Sequence, residues 1–199
     1  MSDPELVIRF EVPGQPLAKG THRSKVMYTK KYANDVTSNY NVNGHKKGRA
    51  YVMTYPDPDT VRYESRVASI ASEELIQSGR IMEYRAVLIK MLFYMQRPQN
   101  HFKTKNGEII PVVKPAFIGV RPVTKPDDDN LEKALKDAIT KIVIHDDNQS
   151  VDVVRRKVYS MFPRTEVEIW TAEDAVDPRE AKHLGLQCPQ EMTEQLSLT

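Results

Sequence analysis

Residues 125–149 read KPDDDNLEKALKDAITKIVIHDDNQ. Leu131, Ala134, Leu135, Ala138, Ile139 and Ile142 recur at i, i+3, i+4, i+7, i+8 and i+11, one apolar stripe of an α-helix. The spacing predicts a helix over 130–143. Asp129 stands where an N-cap belongs, and Glu132 three residues on would complete a capping box. Acids at this end also complement the helix dipole. One cap needs one carboxylate, however, and here Asp127, Asp128 and Asp129 lead in while Asp146 and Asp147 follow. Five like charges around one helix repel unless a lysine, solvent counterions or a metal ion lies among them.

Side-chain geometry sorts these acids. In an extended approach to the helix, Asp127 and Asp129 point to one side and Asp128 to the other. Asp129, Lys133 and Asp137, spaced by four, line one helical face. Asp146 and Asp147 begin the return toward the next strand, and one of them comes back to the first pair if that strand runs alongside. Convergent carboxylates are hard oxygen ligands that suit Mg²⁺ or Mn²⁺, with a phosphate completing the shell. A calcium EF-hand loop does not fit, because the sixth position from Asp127 is Glu132 where glycine is required. Such a site serves metal-assisted phosphoryl chemistry, in which a lysine stabilises the charged oxygens. Lys133 stands where it could do so; a salt bridge to Asp129 or Asp137 is its plainer role.

Working outward, LVIRFEVPGQP (6–16) alternates as a strand ending in a turn, and RAYVMTY (49–55) is a short strand stopped by PDPD. Asp59 or Thr60 caps a second helix that runs to about Ser78 and Gly79. RAVLIKMLFYM (85–95) is a nearly continuous apolar run, read as a buried central strand. VDVVRRKVYS (151–160) and TEVEIWTA (165–172) are read as two antiparallel strands joined through 162–164. Residues 19–50 and 96–126 are long basic connections, and loops of that length are functional more often than idle. The order strand, strand, helix, strand, helix, strand, strand gives an α/β (α+β-like) single domain over 1–172: one mixed sheet with two main helices. Residues 173–199 form a C-terminal tail.

The formal net charge of +2 hides strong patterning. Residues 19–49 carry eight Lys/Arg against one acid, and residues 85–125 again eight against one. Residues 127–147 reverse this, with seven acids against three lysines. Two basic regions flanking an acidic centre suit a polyanion gripped along its backbone while cations sit on the carboxylates. The candidate phosphate contacts are Lys19, Arg23, Lys25, Lys30 and Lys31, then Lys46, Lys47 and Arg49. On the second connection they are Arg97, Lys103, Lys105 and Lys125. Tyr28, Tyr32, Tyr40 and Tyr51 interleave with the first set, which suits base stacking. No apolar run reaches membrane-spanning length, and the polar start is not a signal peptide. The lone cysteine, Cys188, excludes an internal disulfide and points to a reducing compartment.

The pattern K-P-D-x-D-N-L-x-K-x-x-x-D-A, followed eight residues later by D-D-x-Q, resembles the RusA-type Holliday-junction resolvases of bacteria and phages. RFEVPGQPLAKG, RPQNHF and RRKVY extend the likeness over roughly residues 6–18 and 52–170. The resemblance implies a homodimeric, Mg²⁺-dependent endonuclease (with Mn²⁺ as a substitute) of the cytoplasm of a bacterial cell or phage-infected host. It would nick two opposed strands of a four-way DNA junction in recombination and repair. Carried over position by position, it implies Asp127, Asp129 and Asp147 as metal ligands and Lys133 as the catalytic lysine. Asn130, Asp137 and Asp146 would shape the site. Two other readings of the residues stay open: a carboxylate–metal nuclease for flaps or forks, and a DNA-binding module in which the acids only cap and solvate the helix. The chain departs from the family pattern at Lys141, where glycine is usual, and at Ser150, where an apolar residue is usual. The basic insertion at 19–50 is longer than usual, and the tail has no counterpart.

Overall fold

Alternation along the 85–95 run places the sheet. Val87, Ile89, Met91, Phe93 and Met95 are buried, while Lys90 between them and Gln96 after them are exposed. This strand, β4 (Val87–Gln96), has a neighbour on both sides. The computed structural model describes residues 4–20, 23–28 and 50–172. Along the described chain the remaining elements are β1 (Leu6–Pro13), β2 (Arg23–Tyr28), β3 (Ala50–Tyr55) and α1 (Pro58–Gln77), followed after β4 by β5 (Phe102–Lys105), β6 (Glu108–Val113), α2 (Asp128–Ile139), β7 (Ser150–Ser160) and β8 (Arg164–Thr171). A four-stranded mixed sheet runs β1-β8-β4-β7, and β2-β3 and β5-β6 form two separate hairpins.

β8 is antiparallel to both β1 and β4, whereas β7 runs parallel to β4. The sequence suggested that β7 and β8 pair with each other; instead β4 lies between them. Two strand spacings of about 4.8 Å separate them. The link 161–163 covers that gap, since four Cα steps of 3.8 Å reach about 15 Å. A link of hairpin length therefore crosses one strand.

Both helices pack on the face carrying Ile89, Met91 and Phe93. Tyr63, Val67, Ala71 and Leu75 of α1, and Leu131, Ala134, Leu135, Ala138 and Ile139 of α2, join Phe10, Val12, Val167 and Ile169 in one core. Inside it the Tyr63 hydroxyl bonds the Thr165 hydroxyl at 2.8 Å, which satisfies two buried polar groups. Among the described residues no helix covers the opposite face of the sheet. There Lys90 lies 5.0 Å over the Trp170 ring and the Arg164 guanidinium 3.5 Å over Tyr94. Trp170 is thus half-buried on that second face, while Phe93 is fully buried on the core side.

Local chemistry moves both helix starts. Asp57, not Asp59 or Thr60, caps α1: its carboxylate accepts the Asp59 N–H at 2.9 Å, and Pro58 supplies the first helical φ. At α2 the N-cap position belongs to Asp127, which makes no side-chain capping bond, and Asp128 and Asp129 occupy the first turn. Glu132 does not reach back, because Arg155 and Lys136 hold its carboxylate. The helix also ends earlier than predicted, at Ile139. Lys141 follows with φ +69°, in the left-handed region that glycine occupies without strain.

The two basic connections are partly structured. Within 96–126, Asn106 (φ 53°) and Gly107 (φ 83°) close the β5-β6 hairpin, the turn for which an Asn-Gly pair is suited. At its base His101 is buried, stacked on Phe117 at 4.1 Å and edge-on to Tyr159 at 5.2 Å. Within 19–50, residues 23–28 pair with β3 rather than forming loop. Lys30, Lys31, Tyr32, Tyr40, Lys46, Lys47, Arg49, Cys188 and the whole tail 173–199 lie outside the described residues.

Candidate active site

The start of α2 is built by β7. Lys157 extends its ammonium to the carbonyl oxygens of Thr124 (3.0 Å) and Pro126 (2.8 Å), fixing the approach to the aspartates. The Lys125–Pro126 peptide is cis. Two residues earlier on β7, Arg155 donates to the Asp128 carboxylate at 2.8 Å and also pairs with Glu132. The hydrogen bond and charge of Arg155 hold the Asp128 carboxyl below the usual carboxylate range. Asp127, Asp128, Asp129 and Lys133 are all exposed. Asp137 pairs with Lys19, whose ammonium also lies 3.9 Å from Glu64, so Lys133 and Asp137 are not partners. The Lys19 N–H donates to the Asn130 carbonyl at 2.9 Å, tying the root of the first basic connection to α2.

Asp146 and Asp147 sit in a different place. Asp146 caps a short 3₁₀ turn, Asp147–Gln149; its carboxylate accepts the Asn148 N–H at 3.1 Å, and this bond is the main reason its pKa falls below the usual range. The capping box expected at Asp129 is found here: the Gln149 side-chain carbonyl accepts the Asp146 N–H at 2.7 Å. The Gln149 amide donates to the carbonyls of Glu83 (3.1 Å) and Arg85 (2.8 Å). Glu83 accepts from the Tyr84 and Arg85 N–H groups, each at 2.9 Å, and from the Arg85 guanidinium at 2.7 Å. Arg85 first, then these N–H groups, bring its pKa to about 2. Sequence reasoning gave no role to Glu83, Arg85, Lys157 or Arg155; the Q of D-D-x-Q was the one signal pointing to Gln149.

α2 separates the two groups of acids. Its first turn lies beside Arg155 and Lys157, far along β7, while its end returns through Thr140 and Ile144 to Glu83, just ahead of β4. The helix has twelve residues, about 18 Å at 1.5 Å per residue. Asp147 therefore lies at the opposite end of α2 from Asp127 and Asp129. Among the described residues no group of three or more His, Cys, Asp or Glu converges to hold a metal ion. Asp127 and Asp129 offer two hard oxygen donors, a fitting but incomplete donor set for a divalent ion.

The family model of endodeoxyribonuclease RusA matches residues 13–170, from the end of β1 to the end of β8. The chain belongs to the RusA family. It is an endodeoxyribonuclease of the Holliday-junction-resolving kind. An uncharacterized protein of Bacillus subtilis (strain 168), YqaN, is similar to it, 30% identical over 167 residues that cover 81% of this chain and 94% of that protein.

Set on the RusA framework, the basic candidates divide. Lys25, Lys103, Lys105 and Lys125 are exposed, and among the described residues they form no ion pair. Arg23 is held by the Asp57 carboxylate at 2.5 Å, and Arg97 donates to the Phe117 carbonyl at 2.9 Å over the Tyr159 ring. Lys19 is committed to Asp137. Exposed lysines on the β5-β6 hairpin can reach a nucleic-acid backbone, while Lys19, Arg23 and Arg97 brace the bases of the two basic segments. Among the described residues no helix is long and apolar enough to cross a membrane.

Proposed function

We propose that the protein resolves four-way DNA junctions as a homodimer, by Mg²⁺-dependent nicks in two opposed strands, in the cytoplasm of a bacterial cell or phage-infected host. The nuclease domain spans 1–172, with 173–199 as an appended tail. The observation that carries the dimer is the separation of Asp147 from Asp127 and Asp129 by the length of α2. One chain supplies too few carboxylates at either end. A second copy related by a two-fold axis brings its Asp147 to the first chain's Asp127 and Asp129, and the same operation completes a second site. Two equivalent sites suit two equivalent scissile phosphates.

In this reading Asp127 and Asp129 orient the ion, which supplies charge neutralisation and an activated water when bound. Lys133, one helical turn beyond Asp129, donates from its ammonium to the developing charge on the phosphate oxygens. Arg155 keeps Asp128 out of the site, and the helix N-terminus adds a positive field at the phosphate. The exposed lysines hold the arms of the junction, so binding weakens steeply with salt.

Complementation tests the reading. Asp129→Asn and Asp147→Asn are each expected to bind junctions and fail to nick them. Dimers mixed from the two variants contain one site with both substitutions and one with neither, so nicking of a single strand returns. Loss in both homodimers with no recovery in the mixture would refute the shared site. Full activity of either homodimer would refute the ligand assignment.

A further inference from the structure

Gln149 has no part in the chemistry above, yet the two polar atoms of its side chain make three hydrogen bonds. Its carbonyl oxygen accepts the Asp146 N–H at 2.7 Å, and its amide nitrogen donates to the carbonyls of Glu83 at 3.1 Å and Arg85 at 2.8 Å. All three bonds go to main chain, two of them to a segment more than sixty residues away in sequence. That segment is itself rigid. Glu83 binds the Tyr84 and Arg85 N–H groups, and the Glu83 N–H donates to the Val143 carbonyl at 2.7 Å. The Arg85 guanidinium continues to Glu5 at 3.5 Å. Asp147, by contrast, is exposed and stands in a turn of three residues, too short to hold its own direction.

We infer that Gln149 is a positioning residue: its amide bolts the Asp146–Asp147 turn to the Glu83–Arg85 segment and thereby fixes where the Asp147 carboxylate points. This rests on the reading of Asp147 as a metal ligand. The chemistry requires glutamine. Glutamate keeps the acceptor but sets a carboxylate against two carbonyl oxygens, and asparagine is one methylene short of spanning the gap. Partners that orient a ligand in this way are worth about 10- to 100-fold in metal affinity.

Gln149→Leu keeps the volume and removes all three bonds, and it is tested in the full-length dimer. Mn²⁺ titrated calorimetrically into the DNA-free protein is expected to bind about tenfold more weakly. The Mg²⁺ concentration giving half-maximal nicking is expected to rise by a similar factor, with metal-free junction binding unchanged. A purely structural glutamine would lower the thermal midpoint and leave both metal readouts at wild-type values; that result overturns the inference. Should Gln149→Leu fail to fold, Gln149→Glu decides by the same two readouts. Asp147→Asn is measured in parallel. If it retains wild-type Mn²⁺ affinity and nicking, the assignment of Asp147 falls and takes the inference with it. If it loses both while the Gln149 variants match wild type, the positioning role alone is wrong.

Discussion

Replacing Lys157 with methionine isolates the clasp that presents Asp127. The aliphatic stem survives, and two bonds are lost: ammonium to Thr124 carbonyl at 3.0 Å and ammonium to Pro126 carbonyl at 2.8 Å. A hydrogen bond from a charged donor contributes about 1.5–3 kcal/mol when its partner is left dry. Thr124 is exposed, so water takes over its bond, whereas Pro126 is half-buried and loses more. The sum comes to about 2 kcal/mol. For a folded chain of this size that lowers Tm by about 4–8 °C. The catalytic effect should exceed the stability effect. The released carbonyls lie directly before Asp127, and a displacement of about 1 Å at a reacting centre can cost about 100-fold in rate. Calorimetry and single-turnover nicking of a four-way junction, at a temperature where both proteins are folded, measure the two effects separately. Lys157→Arg retains donors and should recover part of each. A Lys157→Met protein with lowered Tm but wild-type nicking rate and Mg²⁺ dependence would refute the argument that this clasp positions the ligand.

Glu83 sets a pH dependence. Its folded pKa lies at about 2 against an ordinary 4.5, so its contribution is complete above pH 4.5 and disappears as the pH falls through about 2. Solvent screening limits that contribution to about 1–2 kcal/mol; Glu83→Gln should be less stable by this amount at pH 7, and thermal melts should show the gap closing toward pH 2. Lys141 sits at φ +69°, so Lys141→Gly removes about 1 kcal/mol of strain and returns roughly half through added freedom in the unfolded chain. Urea denaturation should show a net gain of about 0.5 kcal/mol; a loss would mean that the 3.8 Å pair with Asp146 matters more than the backbone. Asp128→Asn should leave nicking within about twofold while costing about 0.5–1 kcal/mol of stability through Arg155, the reverse of the pattern at Asp129.

What the sequence made legible was periodic or local. The i, i+4 stripe from Leu131 to Ile139 identified α2, and the apolar run ending at Met95 identified the central strand, because each pattern follows from one element burying one face. The Asn106-Gly107 turn is a local signal too, though it lies inside a long basic stretch without sustained alternation around it. Strand order was not legible. The link 161–163 reads as a hairpin turn, and only the presence of β4 in the slot between shows otherwise, since neighbours in a sheet are chosen by long-range packing. The caps shifted for a similar reason: Glu132 is a correct N3 residue for Asp129, but a cation from β7, twenty-three residues away, takes its carboxylate.

Separation of the acids follows from the length of α2 together with where the chain goes after it. The turn after α2 stays fastened to Glu83 and Arg85, ahead of β4, instead of running back along the helix, so the carboxylates before and after α2 stay apart. Ion pairing then sorts the acids by a criterion independent of family likeness. Of the seven acids in 127–147, Asp128 is held by Arg155, Glu132 by Arg155 and Lys136, Asp137 by Lys19 and Asp146 by Lys141. Asp127, Asp129 and Asp147 are the three without a cation among the described residues, and Lys133 is the one lysine of that stretch without an anion. Like charges this close at a helix start repel by about 1 kcal/mol even where bulk water screens them, and by more at the lower effective dielectric of a protein surface. A fold that neutralises four of its seven acids and leaves three exposed keeps an electrostatic cost that an external cation can relieve. The paired acids fasten α2 to its neighbours; the unpaired ones are free to bind something the chain itself does not provide.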